Sequence, residues 1–448
     1  MKYLIGLDIG TSSVKGVLMT EDGKVKKKAH GSFKYTQLEN GGLEIDTDAF
    51  VTICIQAIKE LASGATDGDV CGVCASSASG NLVVLDNKFV PVTPIINWQD
   101  KRVENEAREV LGDLDKEDLY QRIGWPFNFK TFPLAQLCFI KKHSPGLLEE
   151  CGMVCMSTEY LYYVLTGKWG ISASAGTPFY LIDQQTGEYI PELLQALNIS
   201  KNQVPPVMPC GKVLGCITPQ MAEICGLDAD TPIVLGSFDH PSAARGVGIL
   251  KEGEMLLSCG TSWVAFLPVA SREIGIKAKV LVDPFLYPEG CPAVMASVAS
   301  VSARIKMYVN RYIDDSENAF SILSGLAQKS EPGAGGLLIC PTEEPDDERI
   351  LSFSKENIAR AIMEGTVNLL KEKLDRLKSE GITAKTAVMV GGPSEDPMWA
   401  KLIEEMCGIS VKVTHGASAG AVGAAVLAGI GCGLYNDEAD TIEKFKMA

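Results

Sequence analysis

Apolar residues dominate from Tyr3 to Ile9, give way to Gly10-Thr11-Ser12-Ser13, and resume from Val14 to Met19 ahead of an Asp22-Gly23 turn. Short apolar runs divided by glycine and hydroxyl residues predict a strand, a loop and a second strand. The period then changes: Phe50, Ile53, Cys54, Ala57, Ile58 and Leu61 form one stripe at helical spacing behind the acidic residue Asp48. Strands are predicted over 70–75 and 82–85, and helices over 102–111, 134–142 and 159–165. Alternation of this kind is the mark of an α/β domain.

The second half opens as the first does. A strand over 232–236 and another over 254–257 precede Cys259-Gly260-Thr261-Ser262, and an apolar strand follows over 263–267. Both halves thus present strand, Gly-Thr-Ser, strand, which is what an internal duplication leaves behind. A helix over 358–377, a strand over 387–390, Gly391-Gly392-Pro393 and a helix over 398–407 come later, with Asp396 and Pro397 as its N-cap and first-turn residues. The acidic stretch 341–348 is the most loop-like part. Because each glycine loop joins two strands, it is neither a P-loop nor a dinucleotide fingerprint, both of which run from a strand into a helix.

Composition narrows the partners. The 448 residues suffice for two large domains, and a formal charge of −15 repels nucleic acid and anionic lipid. Residues 416–434 carry no charge but are built from Gly and Ala, so a tightly packed core helix is expected there rather than a membrane span. Asp8 follows too few apolar residues for a signal-peptide core, so a cytoplasmic location is expected. Fourteen cysteines without a regular framework read as buried thiols. Cys71 and Cys74 lie on a predicted strand with side chains on opposite faces, which disfavours a zinc site.

The chemistry-bearing residues cluster at the loops. Asp8, at the end of a strand and beside a turn rich in free N–H groups, can hold a hydrated Mg²⁺ against a polyphosphate, or simply cap its own turn. Gly10, Thr11, Ser12, Gly260, Thr261 and Ser262 supply N–H and hydroxyl donors for phosphate; taken singly, each is an ordinary hairpin turn. Gly391 and Gly392 allow backbone to pass close to a flat ligand, or form a simple strand-to-helix turn. Asp239, past a strand and two residues before Pro241, is a helix cap or the carboxylate that takes a hydroxyl proton. Trp98, Asp100 and Arg102 suit a sugar as an aromatic platform with polar neighbours, and Ser76, Ser77, Ser79 and Asn81 can donate to hydroxyls; surface turns are the bland reading of both groups.

Six segments together resemble the FGGY family of carbohydrate kinases: residues 7–15, 97–102, 236–239, 258–262, 391–394 and 417–425, in the family's order. The resemblance implies an α/β fold of two actin-like (ribonuclease H-like) ATPase domains flanking a nucleotide and sugar cleft, expected over 1–236 on the sugar side and 237–448 on the ATP side. It implies ATP and Mg²⁺ as cofactors and a small sugar or polyol as acceptor, with no nucleic acid or membrane partner and room for a homodimer. By position Asp8 becomes the metal ligand and Asp239 the general base. Gly10, Thr11, Ser12, Lys15, Gly260, Thr261, Ser262, Gly391, Gly392 and Ser394 become the nucleotide set. Ser79, Gly80, Asn81, Trp98, Asp100 and Asp239 become the sugar set. The favoured acceptor is a pentulose, D-ribulose or D-xylulose; erythritol, glycerol or a deoxyketose is the alternative, and a non-kinase actin-like ATPase the rival of another class. Xylulose kinases commonly carry Gln-Met-His-Gly where this chain has Ala78-Ser79-Gly80-Asn81, and the G-E-R-x-P stretch is replaced by residues 343–349. A hinge is expected near Gly236.

Overall fold

A computed structural model describes residues 1–78, 80–127, 132–286, 290–414 and 418–447. Two compact units divide the chain. The first comprises Met1–Gly248, Asp283–Pro288 and Ser418–Ala448, and the second Ile249–Val282 and Glu289–Ala417.

The first unit is built on six strands: β1 (Lys2–Ile9), β2 (Ser13–Thr20), β3 (Val25–Ser32), β4 (Asp69–Ser77), β5 (Val213–Cys216) and β6 (Pro232–Phe238). Their spatial order is β5-β6-β4-β1-β2-β3. β1 to β3 form an antiparallel meander, β4 pairs parallel to β1, and β6 pairs parallel to β4. β1 reads as a continuous apolar run because both its faces are buried. Tyr3, Ile5, Leu7 and Ile9 join the core under α1 (Thr47–Ala62), whose predicted stripe supplies Phe50, Cys54, Ala57, Ile58 and Leu61. Asp46 caps α1 by accepting the Ala49 N–H. A smaller antiparallel sheet, in the order Tyr35–Gln37, Leu43–Ile45, Ile95–Ile96, Leu82–Leu85, Met153–Met156, carries the loops around Asn81 and Trp98. From β6 the chain enters α2 (Asp239–Gly246) directly.

The second unit repeats the plan. Its strands are β7 (Gly253–Cys259), β8 (Trp263–Pro268), β9 (Leu281–Asp283), β10 (Ala293–Val298), β11 (Ala384–Val390) and β12 (Ser410–Val413), in the order β9-β10-β8-β7-β11-β12. β7, β8 and β10 form the meander, and β11 and β12 continue it in parallel. Helices α3 (Val301–Tyr312), α4 (Lys355–Ser379) and α5 (Pro397–Cys407) bury their apolar faces in one core with Met255, Leu257, Cys259 and Trp263. The stretch expected to be most loop-like, 341–348, is irregular to Asp346, whose carboxylate starts a short helix, Asp347–Leu351.

The chain then returns to the first unit as α6 (Ala419–Gly431), the core helix expected from the Gly and Ala run. It packs on the second face of the first sheet with Leu4, Val17, Met19, Cys74 and Val234. Contact is backbone to backbone: a Cβ on Gly6 would lie 1.9 Å from the Ala421 carbonyl oxygen, and one on Gly423 would lie 1.7 Å from that of Ser242 in α2. Gly and Ala are therefore needed for approach, not for length. The division differs from the one expected at 236/237, because β6, α2 and α6 all belong to the first unit's packing. Gly236, near which a hinge is expected, is itself closely packed. That residue sits inside β6, donates its N–H to the Tyr162 hydroxyl, and would place a Cβ 1.8 Å from the Ala75 carbonyl oxygen. No helix among the described residues is long and apolar enough to cross a membrane.

Candidate active site

Three parallel strands of the first sheet, β1, β4 and β6, end side by side, which is where open α/β sheets place their ligands. β1 contributes Asp8, β4 contributes Ser76 and Ser77, and β6 hands over to Asp239. Alternation along β1 turns Asp8 toward α6. Its carboxylate presses on the first turn of that helix, where a Cβ on Gly420 would lie 2.6 Å from the Asp8 Cγ. Ser76 donates to Asp8 Oδ1 at 3.2 Å. Burial, and then the negative charge of Asp239, push the Asp8 carboxyl up to about 6, against the pull of Ser76, Lys15 and His240. Asp239 is also raised, by burial, with His240 opposing. Two carboxylates thus share one partly dehydrated edge with too little positive charge to satisfy them.

Asp239 opens α2 as its first helical residue, and its side chain accepts only the N–H of its neighbour His240, at 2.7 Å, among the described bonds. A cap reaches two or three residues onward, so the bland cap reading does not account for this carboxylate. The first loop is closed by the Gly10 N–H on the Ser13 carbonyl at 2.9 Å. Thr11 accepts the indole N–H of Trp98 at 3.2 Å, so the expected phosphate loop and the expected sugar platform touch. Lys15 is exposed on β2 in register with Asp8.

The expected sugar residues divide. Trp98 stacks on Phe132 with ring centroids 5.6 Å apart, and its backbone N–H is held by the Asn81 amide oxygen at 3.2 Å. Asn81 is thereby a support for Trp98. Asp100 is a correction: fully buried, it accepts from the Leu43 N–H and binds Arg102, which also pairs with Glu44. Its oxygens are consumed in holding the loop. Gly80 is a second correction: its φ of +47 and its contact with Pro133, which a Cβ would meet at 2.4 Å, explain it without a ligand. Ser79 lies outside the described residues. The Ser77 hydroxyl and the Trp125 indole N–H are among the buried donors that have no partner among the described residues. Trp125 meets the Phe238 ring edge-on at 5.5 Å, one residue from Asp239. Nothing in the local run Gly124-Trp125-Pro126 marks it, since its neighbours come from distant segments.

In the second unit the Gly260 N–H closes its loop on the Ser262 carbonyl at 3.1 Å, and Ser262 Oγ accepts the Ser300 N–H at the start of α3. A Cβ on Gly260 would meet nothing nearer than 3.9 Å, and Thr261 is exposed, so the loop tip faces open space. At the end of β11, Gly391 adopts a φ of +101 and lies against the Cys259 carbonyl. Gly392 is exposed, and a Cβ there would meet no atom within 4 Å, whereas Ser394 is buried and donates to the Gly391 carbonyl at 2.6 Å. Gly392 is thus free for a ligand, and Ser394 closes the turn.

Residues 3–246 match the model for the N-terminal domain of the FGGY family of carbohydrate kinases, and residues 323–432 match that for its C-terminal domain. The chain belongs to the FGGY family of carbohydrate kinases. It is similar to a xylulose kinase of Bacillus subtilis, 26% identical over 99% of this chain and 91% of that protein. It is also similar to an autoinducer-2 kinase of Klebsiella pneumoniae, at 23% over 99% of this chain and 88% of that protein. Its fold matches the solved structure of ligand-bound xylulose kinase from Lactobacillus acidophilus, with a TM-score of 0.89, 22% identity, and coverage of 99% and 92%. The enzyme is thus a two-domain α/β carbohydrate kinase with the actin-like ATPase fold, which phosphorylates a sugar using ATP.

A carbohydrate kinase moves the γ-phosphate of ATP to a sugar hydroxyl, which gives up its proton. In this FGGY kinase burial raises the proton affinity of both Asp8 and Asp239 at the strand ends, and the charge of Asp239 adds to the rise at Asp8.

Proposed function

We propose that the acceptor is a pentulose, D-ribulose or D-xylulose, that Asp239 takes its hydroxyl proton, and that Asp8 carries Mg²⁺ beside the γ-phosphate. The observation behind this reading is the Asp8 and Asp239 pair at the ends of β1 and β6, which flank β4 in one sheet, each carboxyl raised by burial and Asp8 raised further by the charge of Asp239. A raised carboxylate is a better proton acceptor at neutral pH than a free one. Two underneutralised carboxylates also suit a hard divalent cation, which binds oxygen and keeps several waters. When bound, Mg²⁺ supplies charge neutralisation to the transferring phosphoryl group. The sugar then lies along Trp98, with the Ser77 hydroxyl and Trp125 N–H available for its hydroxyls. Gly10, Thr11 and Ser12 of the first unit, and Gly260, Thr261, Ser262 and Gly392 of the second, offer N–H and hydroxyl donors to the nucleotide. The division into a sugar-binding first unit and an ATP-binding second unit belongs to this reading. Such an enzyme works on a soluble metabolite in the cytoplasm.

A second reading takes another small polyol or a deoxyketose as acceptor. It is favoured by Ala78-Ser79-Gly80-Asn81 in place of the run common in xylulose kinases, and by likeness to an autoinducer-2 kinase. ADP release measured with Mg²⁺ across pentuloses, polyols, deoxyketoses and hexuloses decides between the two. The first reading expects kcat/KM to peak at a pentulose. A peak at a polyol or deoxyketose selects the second, and equal release with and without every acceptor overturns both.

A further inference from the structure

Asp283, the last residue of β9, is fully buried where the chain passes from the second unit into the first, and no part of the kinase chemistry above uses it. Both of its oxygens are engaged. Ser174 donates its hydroxyl to them at 2.9 and 3.2 Å, and the Phe285 N–H adds a bond at 2.7 Å. The same Ser174 oxygen accepts the N–H of Phe238 at 3.2 Å. Phe238 is the last residue of β6 and immediately precedes Asp239. A relay therefore runs from a buried carboxylate through one hydroxyl to the Ser237–Phe238 peptide, one residue ahead of Asp239. Arg245, at the other end of α2, grips the Phe285 carbonyl at 2.8 Å and the Glu438 carboxylate at 2.8 Å, so the segment carrying Asp283 is tied to α2 at both ends. His240 lies near enough to act electrostatically on Asp8, Asp239 and Asp283 alike.

Local sequence explains only part of this. An Asp before Pro accepting the N–H two residues on is an Asx turn, which accounts for the Phe285 bond. It does not account for Ser174, 109 residues away, spending its hydroxyl on Asp283 while accepting from Phe238. A hydroxyl that donates to an ionised group is a stronger and better oriented acceptor for its other partner.

We propose that Asp283 is a positioning residue for phosphoryl transfer, fixing through the Ser174 hydroxyl the peptide N–H that aims Asp239 at the acceptor. The inference rests on the reading of Asp239 as the proton acceptor. A small displacement of a reacting group costs rate without costing affinity, so Ser174→Ala and Asp283→Asn should each lower kcat by roughly tenfold while the sugar KM stays within about twofold. The decisive measurement is a double-mutant cycle with Asp239→Asn, using the acceptor with the highest kcat/KM and circular dichroism to confirm folding. Once Asp239 is gone its aim no longer matters, so adding Ser174→Ala to Asp239→Asn should cost less than about twofold more. Multiplicative losses, with Asp239→Asn itself slow, overturn the relay and leave the base assignment standing. Wild-type kcat in Asp239→Asn overturns the base assignment and the relay with it. Should Asp283→Asn fail to fold, Ser174→Ala, which leaves the Asp283 bond to Phe285 in place, gives the same test.

Discussion

At the penultimate position of its first strand, the first unit carries Asp8 and the second carries Ser258. Their parallel partners are Ser76 and Val390, and their antiparallel partners Lys15 and Val264. The strand order around them is the same, and each strand ends in a glycine loop closed by its own backbone bond. Only the first therefore gathers charge. Among the described residues every carboxyl whose affinity for protons is raised, Asp8, Glu159, Asp239 and Asp283, belongs to the first unit, and the shifted carboxyls of the second unit are all lowered. The scaffold decides where a loop stands. Residue type then makes one strand end suited to proton and cation chemistry and the other to neutral N–H and hydroxyl donors for polyphosphate.

The sharpest way to break that contrast is to make the first strand end like the second. Asp8→Ser, and separately Asp239→Asn, should lower kcat by roughly 10²–10⁴-fold with the fold intact. The reciprocal change Ser258→Ala should cost well under tenfold, on the order of one lost hydrogen bond. Steady-state turnover settles both, and comparable losses at Asp8 and Ser258 would erase the distinction.

The next effect separates two glycines of the second unit. Gly260→Val places its side chain in open space, so Tm should hold while ATP affinity, read by calorimetry, weakens by roughly tenfold or more. Gly391→Ala drives a Cβ to 2.3 Å from the Cys259 carbonyl at a φ of +101, so it should lower Tm by several degrees, about 1–3 kcal/mol. Unchanged ATP binding in Gly260→Val would make that loop an ordinary hairpin.

The smallest effect is a pH dependence confined to the first unit's carboxyls. A raised carboxyl holds its proton more tightly in the folded chain than in the unfolded one, so its stabilising contribution is present at low pH and lost as pH climbs. For Asp8 the loss runs from about 4 to about 6, and for Glu159, buried with both oxygens unpartnered among the described residues, from about 4.5 to about 8. Without Mg²⁺ or nucleotide, Tm should fall by a few degrees across this range. Glu159→Gln should gain on the wild type as pH rises from 5 to 9, because an amide has no charge to bury. A Tm difference between the two that is independent of pH would contradict this.

Much of this was legible beforehand where the signal is local. The stripe from Phe50 to Leu61 found its helix because one face meets one core, and the strand, Gly-Thr-Ser, strand repeat marked both meanders. Asp8 and Asp239 stand out in the sequence because strand ends in an α/β sheet are natural ligand sites, and both are raised carboxyls at such ends. Residues whose partners arrive from far along the chain were not legible. Asp100 reads as a sugar ligand in the sequence, but its oxygens are taken by Arg102 and by the Leu43 N–H, 57 residues away. Gly80 and Gly236 looked like openings for a ligand and a hinge, and both serve close packing. Ser174 and Trp125 carry no local pattern, and Asp283 carries only that of an Asx turn, because their meaning lies in which distant group they meet.

The return of α6 to the first unit has a consequence for synthesis. On the ribosome, β1 is made first and the helix that covers it last, with the whole second unit made in between. Until α6 emerges, Leu4, Val17, Met19, Cys74 and Val234 form an uncovered apolar face, and Asp8 lacks the helix turn against which it rests. The nascent first unit therefore waits, sticky and chemically unfinished, through the translation of more than 160 further residues. Contacts of such sequence separation form slowly and leave exposed intermediates prone to aggregation. The same wiring means that a chain cut short before α6 carries every residue of the second unit but lacks the helix turn against which Asp8 rests.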